Sequence, residues 1–387
     1  MKEGWTYKKL GEVCETSSGG TPSKNHKEYY EGGTIPWLRS GEVGQGLIYS
    51  SELFITELGL QNSSAKIFPI DTVVIAMYGA TVGQVGILKR EMATNQAICG
   101  ILPNESLYPL FLLYCLKSKK PLFLKDAVGG AQPNISQNII KNTSIPIPPL
   151  SEQERIVSEL DLLSGIIEKK KAQLKEYDQL AQSIFYDMFG DIYCTTFSKR
   201  PLIDICEFIK DGTHQTPIYT EDKENGIKFL SAKDVVEGVI NWNNIKYIPI
   251  DLHKELQKRI APQRNDLLLC KNGTTGICAI VETDEIFDIY VSLALIRPKK
   301  PFCSKYLLYA INNPFTKEQF NKSLKGVGVP NLHLGEIKKA KIIYPPLSLQ
   351  QSFAEKIEAI ERQKALIQQS ITEVETLFNS RMDYYFN

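Results

Sequence analysis

The cysteines and histidines of this 387-residue chain are the first residues to test for metal or redox chemistry. No two cysteines form a CxxC, and no histidine stands at a useful spacing from a cysteine, so the pattern indicates neither zinc nor a redox pair. The residues concerned are Cys14, Cys99, Cys115, Cys194, Cys206, Cys270, Cys278, Cys303, His26, His214, His253 and His333. Cys14 and Cys206 stand at equivalent places in the two halves of the chain and are predicted to be buried, reduced thiols.

Motifs for nucleotide and methyl-group chemistry are also missing. Residues 19–24 lack the Gly-x-x-x-x-Gly-Lys-Ser/Thr spacing of a P-loop. The Pro-Pro pairs that begin at Pro148 and Pro345 follow isoleucine or tyrosine, whereas a base-modifying methyltransferase carries Asn or Asp there. No Ser/His/Asp set or dense carboxylate cluster is visible. We therefore expect no catalytic site, no metal and no cofactor bound by this chain.

Polar residues cluster instead at glycine loops that follow apolar strands. Residues 73–83 and 267–276 each predict a strand that enters a glycine loop, with return strands at 85–88 and 277–281. Both stretches therefore predict β-hairpins, at corresponding places in the two halves of the chain.

The whole chain is an internal duplication with an offset near 195 residues. Residues 10–14 match 202–206, and Gly19-Gly20-Thr21 matches Asp211-Gly212-Thr213. Short helices are predicted at 109–117 and 304–312, which share Leu-Leu-Tyr. A last strand in each half then leads to a proline-rich stop. Each half is therefore predicted to be a mixed α/β globule followed by one long helix.

The two long helices carry matching start signals and matching apolar stripes. Ser151 and Ser348 are predicted N-caps, with Glu154 and Gln351 completing capping boxes. Apolar residues then recur in steps of three and four, the a/d pattern of a coiled coil, with interruptions at Lys170 and Lys364. The predicted seam is Ile156, Leu160, Leu163, Ile167, Leu174, Tyr177, Phe353, Ile357, Ile360, Ile367, Ile371 and Val374. A rod of roughly 55–60 Å needs another long helix to cover such a stripe, so the two are expected to pair.

Composition and length agree with this organisation. A chain with 43% hydrophobic residues can build packed cores, and its net charge of +1 neither favours nor excludes a nucleic-acid partner. No run reaches the ~18 apolar residues of a membrane span, so we expect a soluble, cytoplasmic protein without a membrane partner. The expected segments are a globular domain at 1–150, a long helix at 151–190, a second globular domain at 191–347 and a terminal helix at 348–387.

Several blocks of the first half stand in a characteristic order, namely Trp5, Leu10-Gly11-Glu12-Val13, Gly19-Gly20-Thr21-Pro22-Ser23, Ile35-Pro36-Trp37-Leu38, Tyr78-Gly79-Ala80-Thr81-Val82-Gly83, Asn95-Gln96-Ala97 and Pro146-Ile147-Pro148-Pro149-Leu150-Ser151-Glu152-Gln153-Glu154. In this order they resemble the specificity subunits of type I restriction–modification systems. The resemblance spans nearly the whole chain, and the Pro-Pro-Leu-Ser-x-Gln entry into the first long helix is its most specific part. The second half departs from the family pattern at Phe197, in place of Trp5, and at Lys228-Phe229, in place of Pro36-Trp37.

The resemblance implies an α+β fold, in which two duplicated mixed α/β target recognition domains are separated by two long antiparallel helices forming a coiled coil. Each domain would read one half of a bipartite double-stranded DNA target, and the helices would set the spacing and dock methylation subunits, expected to number two. Those subunits would methylate adenine N6 with S-adenosylmethionine, and a restriction/translocase subunit would cut using ATP and Mg²⁺. The chain itself would be a non-catalytic specificity subunit.

Reading DNA would then fall to polar side chains on loops, because phosphate contacts position a protein and base-edge contacts specify the sequence. Arg39 has the fork that suits guanine, and Asn272 or Gln132 the amide that suits adenine. Asn134 and Asn331 follow prolines and are interpreted primarily as helix caps. The candidate DNA-binding residues are Lys24, Arg39, Tyr78, Thr81, Gln132, Lys233, Lys271, Asn272, Thr274, Lys325 and Asn331.

Two alternatives remain open at this point. The chain could supply the specificity domain of a single-chain or type II-like restriction–modification enzyme, which methylation by the pure chain would reveal. It could also be a scaffold that binds partner subunits without recognising DNA. A salt-dependent preference for specific over random duplex separates a specificity subunit from that scaffold.

Overall fold

The computed structural model describes residues 5–128, 133–190, 193, 195–324 and 331–387. The chain forms two compact units: unit 1 comprises Met1–Lys171 with Gln368–Asn387, and unit 2 comprises Ala172–Ile367. Each unit therefore contains a stretch of both long helices, whereas the sequence pattern assigned the helices to segments of their own. No helix in the described ranges is both long and apolar enough to cross a membrane.

Unit 1 is a mixed α/β unit. Its strands are β1 (Thr6–Lys9), β2 (Thr16–Ser18), β3 (Ile35–Leu38), β4 (Leu47–Ile48), β5 (Phe54–Ile55), β6 (Ile67–Phe68), β7 (Val73–Ala76), β8 (Val85–Leu88), β9 (Met92–Thr94), β10 (Ile98–Ile101) and β11 (Ser144–Ile147). Its helices are α1 (Leu10–Val13), α2 (Glu57–Gln61), α3 (Pro109–Ser118), α4 (Lys120–Asp126), α5 (Gln137–Asn142) and the first part of α6 (Leu150–Phe189).

The sheets of unit 1 are built around the hairpin β7–β8, both strands of which are buried along their whole length. The larger sheet has the order β2-β10-β7-β8-β4, the second has β5-β3-β9-β6, and β1 pairs with β11. Continuous apolar strands such as Val73–Ala76 are covered on both faces. Helix α3 covers one side of this hairpin, and its residues 111–116 are buried in the same core cluster as Val73 and Ile87.

Unit 2 repeats the plan. Its strands are β12 (Ser198–Pro201), β13 (Cys206–Asp211), β14 (Ile227–Leu230), β15 (Val235–Val236), β16 (Val239–Ile240), β17 (Lys246–Ile248), β18 (Leu267–Cys270), β19 (Cys278–Ile280), β20 (Phe287–Ile289), β21 (Leu293–Pro298) and β22 (Lys341–Tyr344). Its helices are α7 (Leu202–Ile205), α8 (Ile250–Leu256), α9 (Ser304–Asn312), α10 (Pro314–Lys322), α11 (Leu334–Lys339) and the first part of α12 (Leu347–Phe386). The sheet orders are β13-β21-β18-β19, β17-β14-β20, β15-β16 and β12-β22.

The predicted fold class is confirmed, down to individual elements. The two hairpins are β7–β8 and β18–β19, the two short helices are α3 and α9, and the last strand of each half is β11 or β22. In both units the last strand pairs antiparallel with the first, β1 with β11 and β12 with β22.

Each long helix is anchored by a buried glutamine, not by the predicted serine cap. Helix α6 begins at Leu150, so Ser151 already lies inside it, and the carbonyl of Pro149 accepts from Glu152 N and Gln153 N. The side chain of Gln153 donates to Pro148 O (2.9 Å) and Ser106 O (2.9 Å) and accepts from Tyr108 N (2.8 Å). One buried amide thus joins the proline segment to the starts of both α3 and α6.

The same contact recurs in unit 2. Helix α12 begins at Leu347, one residue before the predicted cap Ser348. Gln350 donates to Pro345 O (2.9 Å) and accepts from Cys303 N (3.1 Å), which is the residue before α9. Gln153 and Gln350 are 0% and 2% exposed, so their hydrogen bonds are shielded from water. The predicted capping boxes were therefore wrong, because a long-range contact of the glutamine replaces a local cap.

The predicted seam residues are all buried or half-buried within the two units. Ile156, Leu160, Leu163, Phe353, Ile357, Ile360, Ile367 and Ile371 are buried, while Ile167, Leu174, Tyr177 and Val374 are half-buried. In unit 1 Lys171 pairs with Glu375 (2.7 Å) and Arg381 with Glu159 (2.7 Å), so the two helical stretches run antiparallel. In unit 2 Phe185 packs on Phe353 and Lys364 pairs with Asp178, which gives the same antiparallel order. Lys364, an interruption of the apolar pattern, thus bonds across the helix pair.

We predict that Gln153→Ala destabilises unit 1 by about 2–4 kcal/mol, because one buried and two partly buried backbone groups lose their hydrogen-bond partner. Urea unfolding followed by limited proteolysis of the full chain measures this loss. Gln173→Ala is the matched control, since Gln173 is exposed on the same helix and its replacement should change stability by less than about 0.5 kcal/mol. Equal effects of the two substitutions would contradict the anchoring role of Gln153.

Candidate nucleic-acid interface

Four segment ends of unit 1 meet at one edge of its sheets, which we call the loop edge. Strands β3 and β9 run parallel, so their carboxyl ends at Leu38 and Thr94 lie side by side. Strand β7 ends opposite the start of β10, and β2 ends beside the same strand. The loop edge of unit 1 is therefore formed by the residues that follow these strands, namely 19–24, 39, 77–81 and 95–97, together with residues 134–135, of which Ile135 bonds to Met77.

Five main-chain hydrogen bonds hold these segments together. They are Gly19 N to Ile98 O (3.3 Å), Gly20 N to Thr94 O (2.9 Å), Asn95 N to Leu38 O (2.9 Å), Met77 N to Ala97 O (2.8 Å) and Ile135 N to Met77 O (2.9 Å). Because the bonds involve only backbone atoms, the bonds themselves do not depend on which side chains the loop edge presents.

Unit 2 holds its own loop edge with the same five bonds. They are Gly212 N to Leu293 O (3.3 Å), Thr213 N to Ile289 O (3.1 Å), Tyr290 N to Leu230 O (2.8 Å), Lys271 N to Ser292 O (2.8 Å) and Leu332 N to Lys271 O (2.9 Å). The loop edge of unit 2 accordingly consists of residues 212–213, 231–233, 271–276, 290–292 and 331–332. The two units are thus equivalent at the level of single hydrogen bonds.

This equivalence corrects the sequence alignment at one place by one residue. A Cβ atom on Gly19 would lie 2.2 Å from Thr94 O, and one on Gly212 would lie 2.0 Å from Ile289 O, so both positions require glycine. Gly19 therefore corresponds to Gly212 and Gly20 to Thr213, whereas the match of Gly19-Gly20-Thr21 with Asp211-Gly212-Thr213 paired Gly20 with Gly212. A repeated glycine in the first half made the local match ambiguous.

The glycine loops pair with the segments that follow the prolines. Tyr78 forms a β-bridge with Asn134, and Asn272 forms the equivalent bridge with Asn331. Asn134 and Asn331 are not helix caps, because Ser136 and His333 occupy the N-cap positions of α5 and α11. The interpretation of the two asparagines as caps was therefore wrong: both extend a loop edge instead.

Most predicted residues of the first half lie at the loop edge of unit 1. Lys24 is exposed, Tyr78 is 41% exposed, and half-buried Thr81 donates to Tyr78 O (3.1 Å). Arg39 is exposed and pairs with Glu52 (2.6 Å). An ion pair at such an exposed site contributes little to stability, so the Arg39 guanidinium can leave Glu52 for another anionic or polar group at a low cost in free energy. Gln132 lies outside the described residues.

The predicted residues of the second half divide into exposed and buried groups. Lys233 and Thr274 are exposed at the loop edge of unit 2, and Asn272 and Asn331 are half-buried there. Lys271 is only 7% exposed. Lys325 lies outside the described residues. Lys271 is therefore not accessible to a DNA ligand, because its ammonium group is buried and binds the Asp211 carboxylate within unit 2.

Lys271 belongs to an ionic cluster centred on the buried carboxylate of Asp211, in which Arg259 and His214 are exposed. Lys271 Nζ lies 2.8 Å from Asp211 Oδ2, Arg259 Nη2 lies 2.6 Å from Asp211 Oδ1, and His214 Nε2 lies 3.2 Å from Asp211 Oδ2. Burial acts to raise the pKa of Asp211, but the hydrogen bond and charge of Lys271, with His214, outweigh it and lower that pKa. The equivalent positions in unit 1 are Ser18 and buried Met77, so one unit holds an ion pair where the other has none.

Two asparagines at the loop edge of unit 2 have unmet hydrogen-bonding capacity. The Oδ1 atoms of Asn272 and Asn331 are buried and accept no hydrogen bond from the part of the chain that is described. Both residues line a cavity of about 510 Å³ together with His214, Lys271 and His333.

The turns between β9 and β10 and between β20 and β21 were not among the segments predicted to contact DNA. Residues 95–97 and 290–292 lie in the middle of the respective loop edges and bond to both neighbouring segments. Thr21 Oγ1 also donates to Gln96 Oε1 in unit 1. The available signal was the block Asn95-Gln96-Ala97, which is one of the blocks that carry the family resemblance.

The seven cysteines in the described part of the chain are free thiols. Cys14 and Cys206 are buried free thiols, as predicted, and burial raises the pKa of Cys99 to about 11. Within the described ranges no group of three or more His, Cys, Asp or Glu side chains is arranged to hold a metal ion.

Comparison with known proteins identifies the family to which the two halves of the chain belong. The sequence matches the family model described as the type I restriction modification DNA specificity domain twice, over residues 2–176 and 195–376. The chain belongs to this family. Specificity subunits of type I systems bind DNA and assemble with other subunits of their complex, and the family role is specificity rather than catalysis.

Individual relatives support the assignment over most of the chain. The specificity subunit of the type I restriction enzyme MjaIX of Methanocaldococcus jannaschii is 29% identical over 90% of this chain and 85% of that protein. The EcoKI specificity subunit of Escherichia coli K12 is 22% identical over 93% and 82%.

Two solved structures share the fold. One chain comes from a study of complex assembly and conformational transition of the type I R-M system, with TM-score 0.67, 20% identity and coverage of 100% of this chain and 98% of that one. The other is the S subunit from M. genitalium, with TM-score 0.54, 14% identity and coverage of 99% and 96%.

We predict that Lys271→Met destabilises unit 2 by about 2–4 kcal/mol, because it leaves the buried Asp211 carboxylate with less compensation. The double substitution Asp211→Ser with Lys271→Met installs the pair found in unit 1 and should recover at least half of the loss. Urea unfolding of the three proteins measures this. Lys233→Met, at an exposed lysine, is the control and should be nearly neutral. A double variant as unstable as the single one would argue against the ion pair as the cause.

The lowered pKa of Asp211 also sets the pH dependence of this contribution. A carboxylate whose folded-state pKa lies below its ordinary value of 3.8 stabilises the fold fully above that value and loses this effect as the pH falls through the folded-state pKa. The stability difference between wild type and Lys271→Met should therefore be constant at neutral pH and shrink in acid. Unfolding midpoints between about pH 7 and pH 3 check this. A difference that grows in acid would refute it.

Proposed function

We propose that this chain is the DNA specificity subunit of a type I restriction–modification complex, in which each unit reads one half of a bipartite target. The observation that carries the proposal is the pair of loop edges. Five backbone hydrogen bonds recur in both units, while the side chains that they present differ. Two equivalent frameworks with different side chains are what the reading of two different half-sites requires.

The residues of the loop edges have the chemistry that DNA needs. Exposed Lys24, Arg39 and Lys233 supply positive charge for phosphate oxygens, and amide, hydroxyl and phenol groups suit base edges. The small net charge of +1 does not oppose this role, because binding depends on local charge.

We further propose that helices α6 and α12 fix the spacing between half-sites and dock two methylation subunits. Leucines on both helices support a docking role, since Leu162 is 66% exposed and Leu366 is 59% exposed. Exposed large apolar side chains on a charged helix are typical of a surface that a partner covers.

Catalysis would then reside on the partners. The methylation subunits would transfer a methyl group from S-adenosylmethionine to adenine N6, and the restriction/translocase subunits would use ATP and Mg²⁺. The chain described here would supply sequence choice and geometry.

The decisive test combines reconstitution with a randomised DNA library. The pure chain should not methylate DNA with S-adenosylmethionine, whereas the chain mixed with its methylation subunits should methylate duplexes that share a two-part sequence. Methylation by the pure chain would point to a single-chain enzyme, and a complex without sequence preference would point to a scaffold.

Tyr78→Ala should change the preferred bases in only one of the two parts, by roughly 5- to 100-fold at the affected position. Tyr49→Ala is the matched control, because Tyr49 is 62% exposed but follows β4 at the opposite end of β8 from the glycine loop. Loss of both half-sites in Tyr78→Ala would contradict the assignment of one unit to one half-site.

A further inference from the structure

Asn272 and Asn331 occupy two neighbouring positions at which a polar side chain lowers the stability of the folded state. Each carries a buried Oδ1 that accepts no hydrogen bond within the described residues. A buried acceptor without a donor loses its hydration and receives nothing in return. Native proteins rarely leave such a group unmet unless the site has another use.

The two amides lie next to one another. The antiparallel bridge between Asn272 and Asn331 places their Cα atoms opposite each other, so the side chains are within reach of one ligand. Both line the 510 Å³ cavity at the loop edge of unit 2. The terminal torsion of asparagine is soft, so each amide can turn toward a ligand in that cavity at small cost.

Neither amide is needed to hold the loop. The main chain on both sides of the bridge is already secured by Lys271 N to Ser292 O and by Leu332 N to Lys271 O. The ammonium group of Lys271 is bound to Asp211, which fixes the residue immediately before Asn272. The loop is therefore rigid at Lys271 and carries two unsatisfied acceptors directly beyond it.

An unmet acceptor needs a donor, and this restricts the partner. In the major groove of DNA the base donors are the exocyclic amino groups of adenine N6 and cytosine N4, while guanine and thymine present acceptors there. We propose that Asn272 and Asn331 are the specificity-determining pair of unit 2, and that they accept hydrogen bonds from adenine or cytosine amino groups in the major groove. The inference rests on the DNA-specificity function proposed above and adds the residues and the base chemistry.

Unit 1 has a different set at the same place. Tyr78 stands where unit 2 has Asn272, and the counterpart of Asn331 is Asn134, which is exposed. Among the described residues of unit 1, the buried and unpartnered side-chain oxygens of unit 2 have no counterpart at these two positions. The two units should therefore prefer different bases at equivalent positions of their half-sites.

The test uses the full-length chain reconstituted with its methylation subunits and a randomised duplex library. Asn272→Ala and Asn331→Ala should each reduce the preference for adenine or cytosine, by roughly 10- to 100-fold at one or two adjacent positions of a single half-site. The other half-site should be unchanged. Both variants should unfold at the same or higher urea concentration than wild type, since each removes an unmet buried acceptor.

Asn312→Ala is the matched control. Asn312 lies in the same unit, and its amide is satisfied by Cys278 N (3.0 Å) and Cys278 O (2.8 Å). Its replacement should lower the urea midpoint and leave the sequence preference unchanged. A purely structural role for Asn272 and Asn331 would give the same pattern as Asn312, and that result would overturn the proposal.

Base analogues distinguish the two amino-group sources. If adenine is read, 2-aminopurine at that position moves the amino group to the minor groove and should weaken binding by wild type but not by the alanine variant. If cytosine is read, 2-pyrimidinone serves in the same way. Wild type without any two-part preference would refute the proposed function itself, whereas a two-part preference that ignores both asparagines would refute only this inference.

Discussion

Each globular core in this protein is completed by the far end of a helix that starts elsewhere in the sequence. In unit 1 Tyr385 and Phe386 are buried with Ile156 and Leu160, and the Phe386 ring packs against Phe111 at 5.2 Å. In unit 2 Phe185 and Phe189 pack on Tyr306 and Phe353. Aromatic residues of this size dominate core energetics, so the core of each unit depends on a long helix as well as on its own sheets.

The two cores differ in how far apart in the sequence their parts lie. Unit 2 is continuous in sequence, whereas unit 1 needs Met1–Lys171 and Gln368–Asn387 together. Closing so long a loop costs entropy, but that cost grows only with the logarithm of loop length, and a few buried aromatic side chains can offset it. The ion pairs Lys171–Glu375 and Arg381–Glu159 fix the register in which α6 and α12 pack in unit 1. The buried apolar side chains supply most of the stabilising free energy of this packing.

Local patterns were sufficient to predict the elements whose cause is local. The hairpins at β7–β8 and β18–β19 follow from apolar runs that end in glycine loops, and α3 and α9 were predicted at the two segments that share Leu-Leu-Tyr. The serine caps failed because Gln153 and Gln350 bond to groups up to 47 residues away, which no capping rule examines. Lys271 was predicted to be accessible for a similar reason: its partner Asp211 lies 60 residues earlier in the chain. The candidate interface was thus predictable as a set of loops, but the accessibility of each side chain required the fold.

The two loop edges share a backbone framework but differ in their side chains, which explains how one scaffold can recognise two different DNA half-sites. Both frameworks consist of backbone hydrogen bonds and two glycines that close packing demands, so neither depends on which polar side chains stand above them. Unit 2 adds the ion pair of Asp211 with Lys271 below its reading loop, where unit 1 has Met77. A buried ion pair is a weak source of net stability but restricts geometry, since its members lose energy whenever they separate. Because Lys271 directly precedes Asn272, the ion pair fixes the start of a loop whose first side chain, Asn272, has an Oδ1 atom that accepts no hydrogen bond within the described residues.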